Sequence, residues 1–360
     1  MEYAIMKLLA ISALTFTAAM AVTPLVTHFL YEHKMWKKKA GKEGGYGGGG
    51  TPLFNELHKD ADTGTPRMGG VVIWLGLLIA LGFIVLGQLL APQSLLADLN
   101  FVSRSQTWIP LAAFFIGALV GFIDDYSIVK GSGTHFADAG LSLKTRLGIV
   151  LALAGAIGWW FYAKLGVSAI SFFGITTIPL GVGFIAFFML VVAAVYASGI
   201  IDGIDGLSGG VFLFIFAAYT GIALMQGQTD IAMFCAAIVG GLLAFLWFNI
   251  PPARFYMTET GIMALTLALA TVAFLTDDLV GGVGISLLPI IGGLLVVTVA
   301  SNIIQVLSKK LRGGKKVFLI APLHHHFEAL GWPRPKIVMR YWIIGFVLAS
   351  LGVLVALTLR

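Results

Sequence analysis

The chain is built from apolar runs, each close to the ~20 residues a helix needs to cross a bilayer. Ten such runs can be drawn: residues 3–30, 67–91, 107–129, 146–163, 183–201, 209–226, 229–248, 260–276, 284–308 and 337–359. Inside a bilayer every backbone polar group must be paired within the protein, so runs of this kind fold as helices. The expected fold is an all-α polytopic membrane protein with ten transmembrane helices. Only 11% of residues are charged and 58% are hydrophobic, whereas a soluble domain carries about 25% charge. A single integral membrane domain therefore covers residues 1–360, with no separate soluble domain. The sixth and seventh runs are separated only by Gln226–Asp230, a tight turn. Residues 165–179, ending in AISFFGITTIP, are rich in β-branched and aromatic side chains and read as a small hairpin on the outer face.

Orientation follows from Lys and Arg, which collect in cytoplasmic loops. Nineteen of the 23 fall in one set of loops, leaving only Lys7, Arg104, Lys164 and Arg360 in the other. The rich set is cytoplasmic, and ten spans then place both termini outside. The net charge of +6 is accounted for by this bias and does not point to nucleic acid. Ala19-Met20-Ala21 has the small-x-small look of a signal-peptide cleavage site. The apolar run continues well past it, which favours an uncleaved helix. The cytoplasmic loop of about 34–65 contains GKEGGYGGGG, the composition of a flexible linker. It lacks the GK[ST] that a phosphate-cradling loop would show. Cys235 is the only cysteine. It excludes an intrachain disulfide and reads as a free core thiol.

The polar clusters all fall on the cytoplasmic side, and ionisable residues at membrane depth are expensive to keep. Asp124 and Asp125, in GFIDDY, end the third run. Adjacent acids repel, and a metal, a cation or shared protonation would relieve them. Asp202 and Asp205 lie in SGIIDGIDGLSGG, residues 198–210. At spacing i, i+3 they can share a helical face, and paired carboxylates suit Mg²⁺ and phosphate chemistry. Residues 248–261, FNIPPARFYMTETG, supply Asn249, a stacking ring from Phe255 or Tyr256, and Glu259. Glu259 also reads as an acid complementing a helix N-terminus. In APLHHHFEALGW, residues 321–332, His324, His325 and His326 cannot all face one way on a helix. They suit phosphate binding, proton transfer or a transition metal. Lys130, Lys144 and Arg146 read either as phosphate ligands or as ordinary cytoplasmic loop charge. Together these groups suit a nucleotide substrate from the cytosol meeting a lipid acceptor in the membrane. A transporter reading is weaker, because its acids would sit at mid-helix rather than at helix ends.

TPRMGG, GFIDDY, DGIDGL, FN-x-x-PA, IIQV and APLHHHFE-x-x-GW-P occur in this order along nearly the whole chain. In these motifs the sequence resembles the phospho-N-acetylmuramoyl-pentapeptide transferases, within the polyprenyl-phosphate N-acetylhexosamine-1-phosphate transferase superfamily. The resemblance implies ten transmembrane helices and usually a homodimer in the bacterial inner membrane. It implies an Mg²⁺-dependent reaction of UDP-N-acetylmuramoyl-pentapeptide with undecaprenyl phosphate, releasing UMP. It assigns Asp124 and Asp125 to the lipid phosphate and Asp202 to a central place near the metal. Gly203, Ile204 and Asp205 would border the uridine, with Asn249 and Tyr256 flanking the base. Gln305, His324 and His325 would line the nucleotide-sugar region, joined by His326, Lys144 and Arg146. Glu259 stands where the family has a metal-binding aspartate. Other departures are Gly199 for asparagine, Asp62 for lysine, Arg67 for threonine and Tyr256 for phenylalanine. A sibling transferase using another UDP-sugar, and a lipid-binding scaffold, remain as competing readings.

Overall fold

A computed structural model describes residues 1–37, 64–103, 106–131, 140–277 and 282–359. Among them, ten helices are long and apolar enough to span a membrane. They are α1 Glu2–Glu32, α2 Val71–Leu90, α4 Trp108–Lys130, α5 Leu143–Leu165 and α6 Gly183–Ala197, the last extended by a 3₁₀ turn, Ser198–Ile201. The others are α7 Leu207–Met225, α8 Thr229–Asn249, α9 Thr258–Leu275, α11 Gly293–Leu311 and α13 Arg334–Thr358. Short helices α3 Leu95–Asp98, α10 Gly284–Ile291 and α12 Leu323–Ala329 lie between them. The glycine-rich stretch and Lys59 lie outside the described residues.

The ninth predicted span is corrected. Residues 284–308 are not one helix, because the chain breaks at Gly292 between α10 and α11. Pro289, inside α10, lacks the N–H that a continuous helix would use, and the glycine tolerates the bend. The hairpin forms as antiparallel β1 Ala169–Phe172 and β2 Thr176–Pro179, with Ala169 opposite Pro179 and Phe172 opposite Thr176.

Helix α9 is the central column, and all its residues but Glu259 are buried. It meets α4 at glycine contacts. A Cβ on Gly117 would lie 2.8 Å from the Met263 carbonyl oxygen, and one on Gly121 would lie 2.1 Å from that of Glu259. Small residues at such crossings let helix backbones approach closely in a membrane. This approach brings Asp124 and Asp125, one turn beyond Gly121, alongside the first turn of α9. Gly240 does the same for α8 against α1, where an added Cβ would be 2.1 Å from the Ser12 carbonyl. At its far end α9 packs Phe274 among Phe161, Phe184, Phe187 and Phe188. Just beyond, buried Asp277 accepts hydrogen bonds from the Ser171 and Ile285 amides, tying the hairpin to the start of α10. The peripheral helices expose apolar side chains outward, among them Leu25, Leu89, Trp159, Ile343 and Phe346.

Candidate active site

Four carboxylates from three separate parts of the chain gather at the first turn of α9. Asp125 is fully buried. Its Oδ1 accepts from Arg67 Nη2 at 3.0 Å and Nε at 3.3 Å. Its Oδ2 accepts from the Thr258 hydroxyl at 2.5 Å, the Thr260 hydroxyl at 2.6 Å and the Thr260 amide at 2.9 Å. Asp124, also buried, accepts from the Leu141 amide at 2.6 Å and from Arg146 at 3.4 Å. The same Arg146 Nη1 lies 2.5 Å from Glu259 Oε1, and Tyr196 donates to Glu259 Oε2 at 3.4 Å. Asp202 accepts from the Ser208 hydroxyl at 2.6 Å and the Thr258 amide at 2.9 Å. Desolvation among the surrounding loops pushes the Asp202 carboxyl above the usual range, against the hydrogen bonds from Ser208 and Thr258 and the charge of Arg67.

Thr258 joins the two halves of this cluster. Its hydroxyl serves Asp125 and its amide serves Asp202. To do so it adopts φ 54°, a left-handed conformation that costs a β-branched residue about 1–3 kcal/mol. Met68 is left-handed too, at φ 66°, and donates its amide to the Thr258 hydroxyl at 3.1 Å. Backbone bonds from Gly69 and Gly70 to Tyr256 and Met257 fix this strand of loop against α9. Arg67 is thereby aimed at Asp125 while its side chain stays 19% exposed.

Residues 107–277 match Glycosyl transferase family 4. A phospho-N-acetylmuramoyl-pentapeptide-transferase from Geobacillus sp. (strain WCH70) is 37% identical over 297 residues, covering 81% of this chain and 83% of the relative. The chain belongs to the phospho-N-acetylmuramoyl-pentapeptide-transferase family.

In this phospho-N-acetylmuramoyl-pentapeptide-transferase family member, Asp124, Asp125, Asp202, Glu259 and Arg146 form one connected cluster. The helical-face reading of Asp202 and Asp205 is corrected. Asp202 ends the 3₁₀ turn, the chain then turns through Gly203, and Asp205 accepts from the Ala253 amide at 3.2 Å. Two glycines and a short loop let the acids diverge. Gly203 abuts the histidines: a Cβ there would lie 2.6 Å from Nε2 of both His324 and His325. His324 is buried, His325 pairs through Nδ1 with Glu328 at 2.9 Å, and His326 accepts from the Leu319 amide at 3.2 Å. The triplet therefore divides its directions as helical geometry requires, and His324 and His325 face the Asp202 turn.

Several predicted ligands have internal work. Asn249 is buried, accepting from the Gly206 amide and donating to the Phe255 carbonyl, both at 2.8 Å. Gln305 accepts from the Val317 and Phe318 amides and donates to the Phe318 carbonyl. Phe255 is not an open stacking surface. It is fully buried against Phe245 and Phe248, leaving half-exposed Tyr256 as the ring nearer the surface. Ile204 is buried at the turn. Lys144 is exposed on the first turn of α5 and makes no ion pair among the described residues. Arg67, Thr258, Thr260, Ser208 and Tyr196 belong to the cluster as well, and the last four carried no chemical signature in the sequence. Arg67 was the one with a signal, as a cation inside TPRMGG.

The donor set suits a hard divalent cation, being built of carboxylate oxygens. No group of three or more His, Cys, Asp or Glu surrounds a common point among the described residues. That is compatible with magnesium, which is usually held by one or two carboxylates and completes its shell with water and substrate phosphates. Each Asp202 oxygen accepts one of the described hydrogen bonds, so lone pairs remain for such an ion.

Proposed function

We propose that the chain transfers phospho-N-acetylmuramoyl-pentapeptide from its UDP donor to undecaprenyl phosphate at the cytoplasmic face of the bacterial inner membrane. In the net reaction a lipid-phosphate oxygen bonds to the sugar-bearing phosphorus. The bond from that phosphorus to the bridging oxygen breaks, and UMP leaves with the electron pair. One phosphoanhydride is exchanged for another. The observation that carries this reading is the convergence of Asp124, Asp125, Asp202 and Glu259 on Arg67, Arg146 and Thr258 at the start of α9. The family of the Geobacillus relative supplies the substrate class.

Arginine forks match phosphate oxygens in charge and geometry. Arg67 and Arg146, partly exposed and anchored on buried acids, are placed to bind the phosphates of the two substrates. Asp124 and Asp125 hold these cations and, with a lipid phosphate between the arginines, would orient or deprotonate it. Asp202 and Glu259 would hold Mg²⁺, which supplies charge neutralisation at the pyrophosphate. Gly203, Ile204 and Asp205 with Tyr256 would border the nucleotide, and His324, His325 and His326 its sugar-phosphate side. Asn249 and Gln305 would act by holding the surrounding loops, and Lys144 by attracting the anionic donor. Nineteen of 23 cations on one side of the spans support cytoplasmic access with both termini outside. A homodimer is the assembly we expect from the family resemblance.

Purified chain, given undecaprenyl phosphate and Mg²⁺, is expected to release UMP with UDP-N-acetylmuramoyl-pentapeptide. Release only with UDP-N-acetylglucosamine would select the sibling transferase, and no release from folded protein would leave a scaffold or transporter. In the same assay Glu259→Gln is expected to raise the magnesium concentration needed for half-maximal rate. An unchanged magnesium titration would remove Glu259 from the ligand set.

A further inference from the structure

Away from the carboxylates, the junction of α12 and α13 carries a second polar–apolar arrangement. Trp332 stacks on Phe327 with ring centres 4.8 Å apart and planes 18° apart. Two cations lie over the Trp332 ring, Lys336 Nζ at 4.7 Å and Arg340 Cζ at 4.3 Å from its centre. Both are exposed, and no carboxylate among the described residues pairs with either. Beside them is a cleft of about 170 Å³ lined by Phe327, Trp332, Ile337, Arg340, Tyr341 and Ile344. Arg340 is the one charged residue of its lining. Tyr341 is 4% exposed.

The place of this cleft in the membrane identifies its occupant. Helix α13 has 25 residues, about 37 Å of helix, against about 30 Å of hydrocarbon. Its first turns therefore rise out of the hydrocarbon, and Arg340 stands near the boundary. Tryptophan and basic side chains at that level are the usual anchors of the headgroup region. Below them Ile343, Ile344 and Val347 are exposed, continuing an apolar path into the bilayer from the mouth of the cleft.

We propose that this cleft binds an anionic glycerophospholipid. Its phosphate sits on Lys336 and Arg340, and the upper acyl chain fills the apolar wall toward Ile344. Charge complementarity selects an anionic headgroup over a zwitterionic one. The Tyr341 ring lies 6.4 Å, centre to centre, from that of His324, so the bound lipid would stiffen the support of the histidine helix. The inference rests on membrane insertion alone and is independent of the transferase reading.

The test is native mass spectrometry of the full chain in detergent, titrated with dioleoyl phosphatidylglycerol or dioleoyl phosphatidylcholine. Wild type is expected to retain phosphatidylglycerol in preference to phosphatidylcholine. The double variant Lys336→Gln/Arg340→Gln should lose about thirtyfold in phosphatidylglycerol affinity, the effect of removing two basic groups from an anionic surface. Lys336→Arg/Arg340→Lys, which keeps both charges, should bind as wild type does. Equal retention of the two lipids by wild type, or unchanged phosphatidylglycerol binding in the double glutamine variant, would overturn the proposal.

Discussion

Asp125→Asn is expected to reduce UMP release at least about a hundredfold, the scale of losing a positioned acid–base group. The argument is one of hydrogen-bond parity. Asp125 accepts from Arg67 on one oxygen and from the Thr260 amide and two hydroxyls on the other. Asparagine replaces one of those oxygens with a donor. Turned one way, its NH₂ faces the Arg67 guanidinium, and turned the other way it faces the Thr260 N–H. Neither partner can become an acceptor, so a buried donor opposes a donor in both orientations. The variant also removes the charge that anchors Arg67. A lower melting temperature should accompany the loss of rate, at a cost of about 1–3 kcal/mol for the unsatisfied group. A rate close to wild type would show that Asp125 neither holds Arg67 nor touches the reacting phosphate.

The second large effect is expected at Gly121. A Cβ there would sit 2.1 Å from the Glu259 carbonyl oxygen, and the obstacle is backbone, which no rotamer change relieves. Gly121→Val must therefore push α4 away from α9. Overpacking a buried contact costs about 1–3 kcal/mol, occasionally more. Here the displacement also separates Asp124 and Asp125 from Thr258, Glu259 and Thr260. The expected result is poor recovery of folded protein and no detectable transfer by what remains. Gly82→Val is the control, because nothing lies within 4 Å of a Cβ at that position. Similar damage from both substitutions would mean that valine in a spanning helix, not the α4–α9 approach, is responsible.

The helical architecture was legible because about 20 apolar residues in a row have few ways to satisfy their backbone in lipid. Asp124, Asp125, Asp202 and Glu259 were legible for a related reason, since acids at membrane depth stand out against their surroundings. The break at Gly292 was hidden because both sides of it are equally apolar, and hydrophobicity reports length but not continuity. Thr258 and Thr260 were hidden because hydroxyl residues at a helix start are ordinary. Their role depends on Asp125, which is more than a hundred residues away and is delivered by a helix crossing rather than by any local pattern. The divergence of Asp202 from Asp205 depended on the turn at Gly203, where periodicity offers no guide. Asn249 and Gln305 illustrate the opposite case: motif-borne polar side chains whose hydrogen bonds hold backbone together around the site.

Because α9 is enclosed by other helices along nearly its whole length, it has little contact with lipid tails. Thickness mismatch acts on helices through the tails that touch them, and they answer by tilting or bending. In a thicker or thinner bilayer that adjustment falls to outward-facing helices such as α1, α5 and α13. The first turn of α9, with Thr258, Glu259 and Thr260, is mounted on a column the bilayer scarcely touches and keeps its place while the outer wall leans.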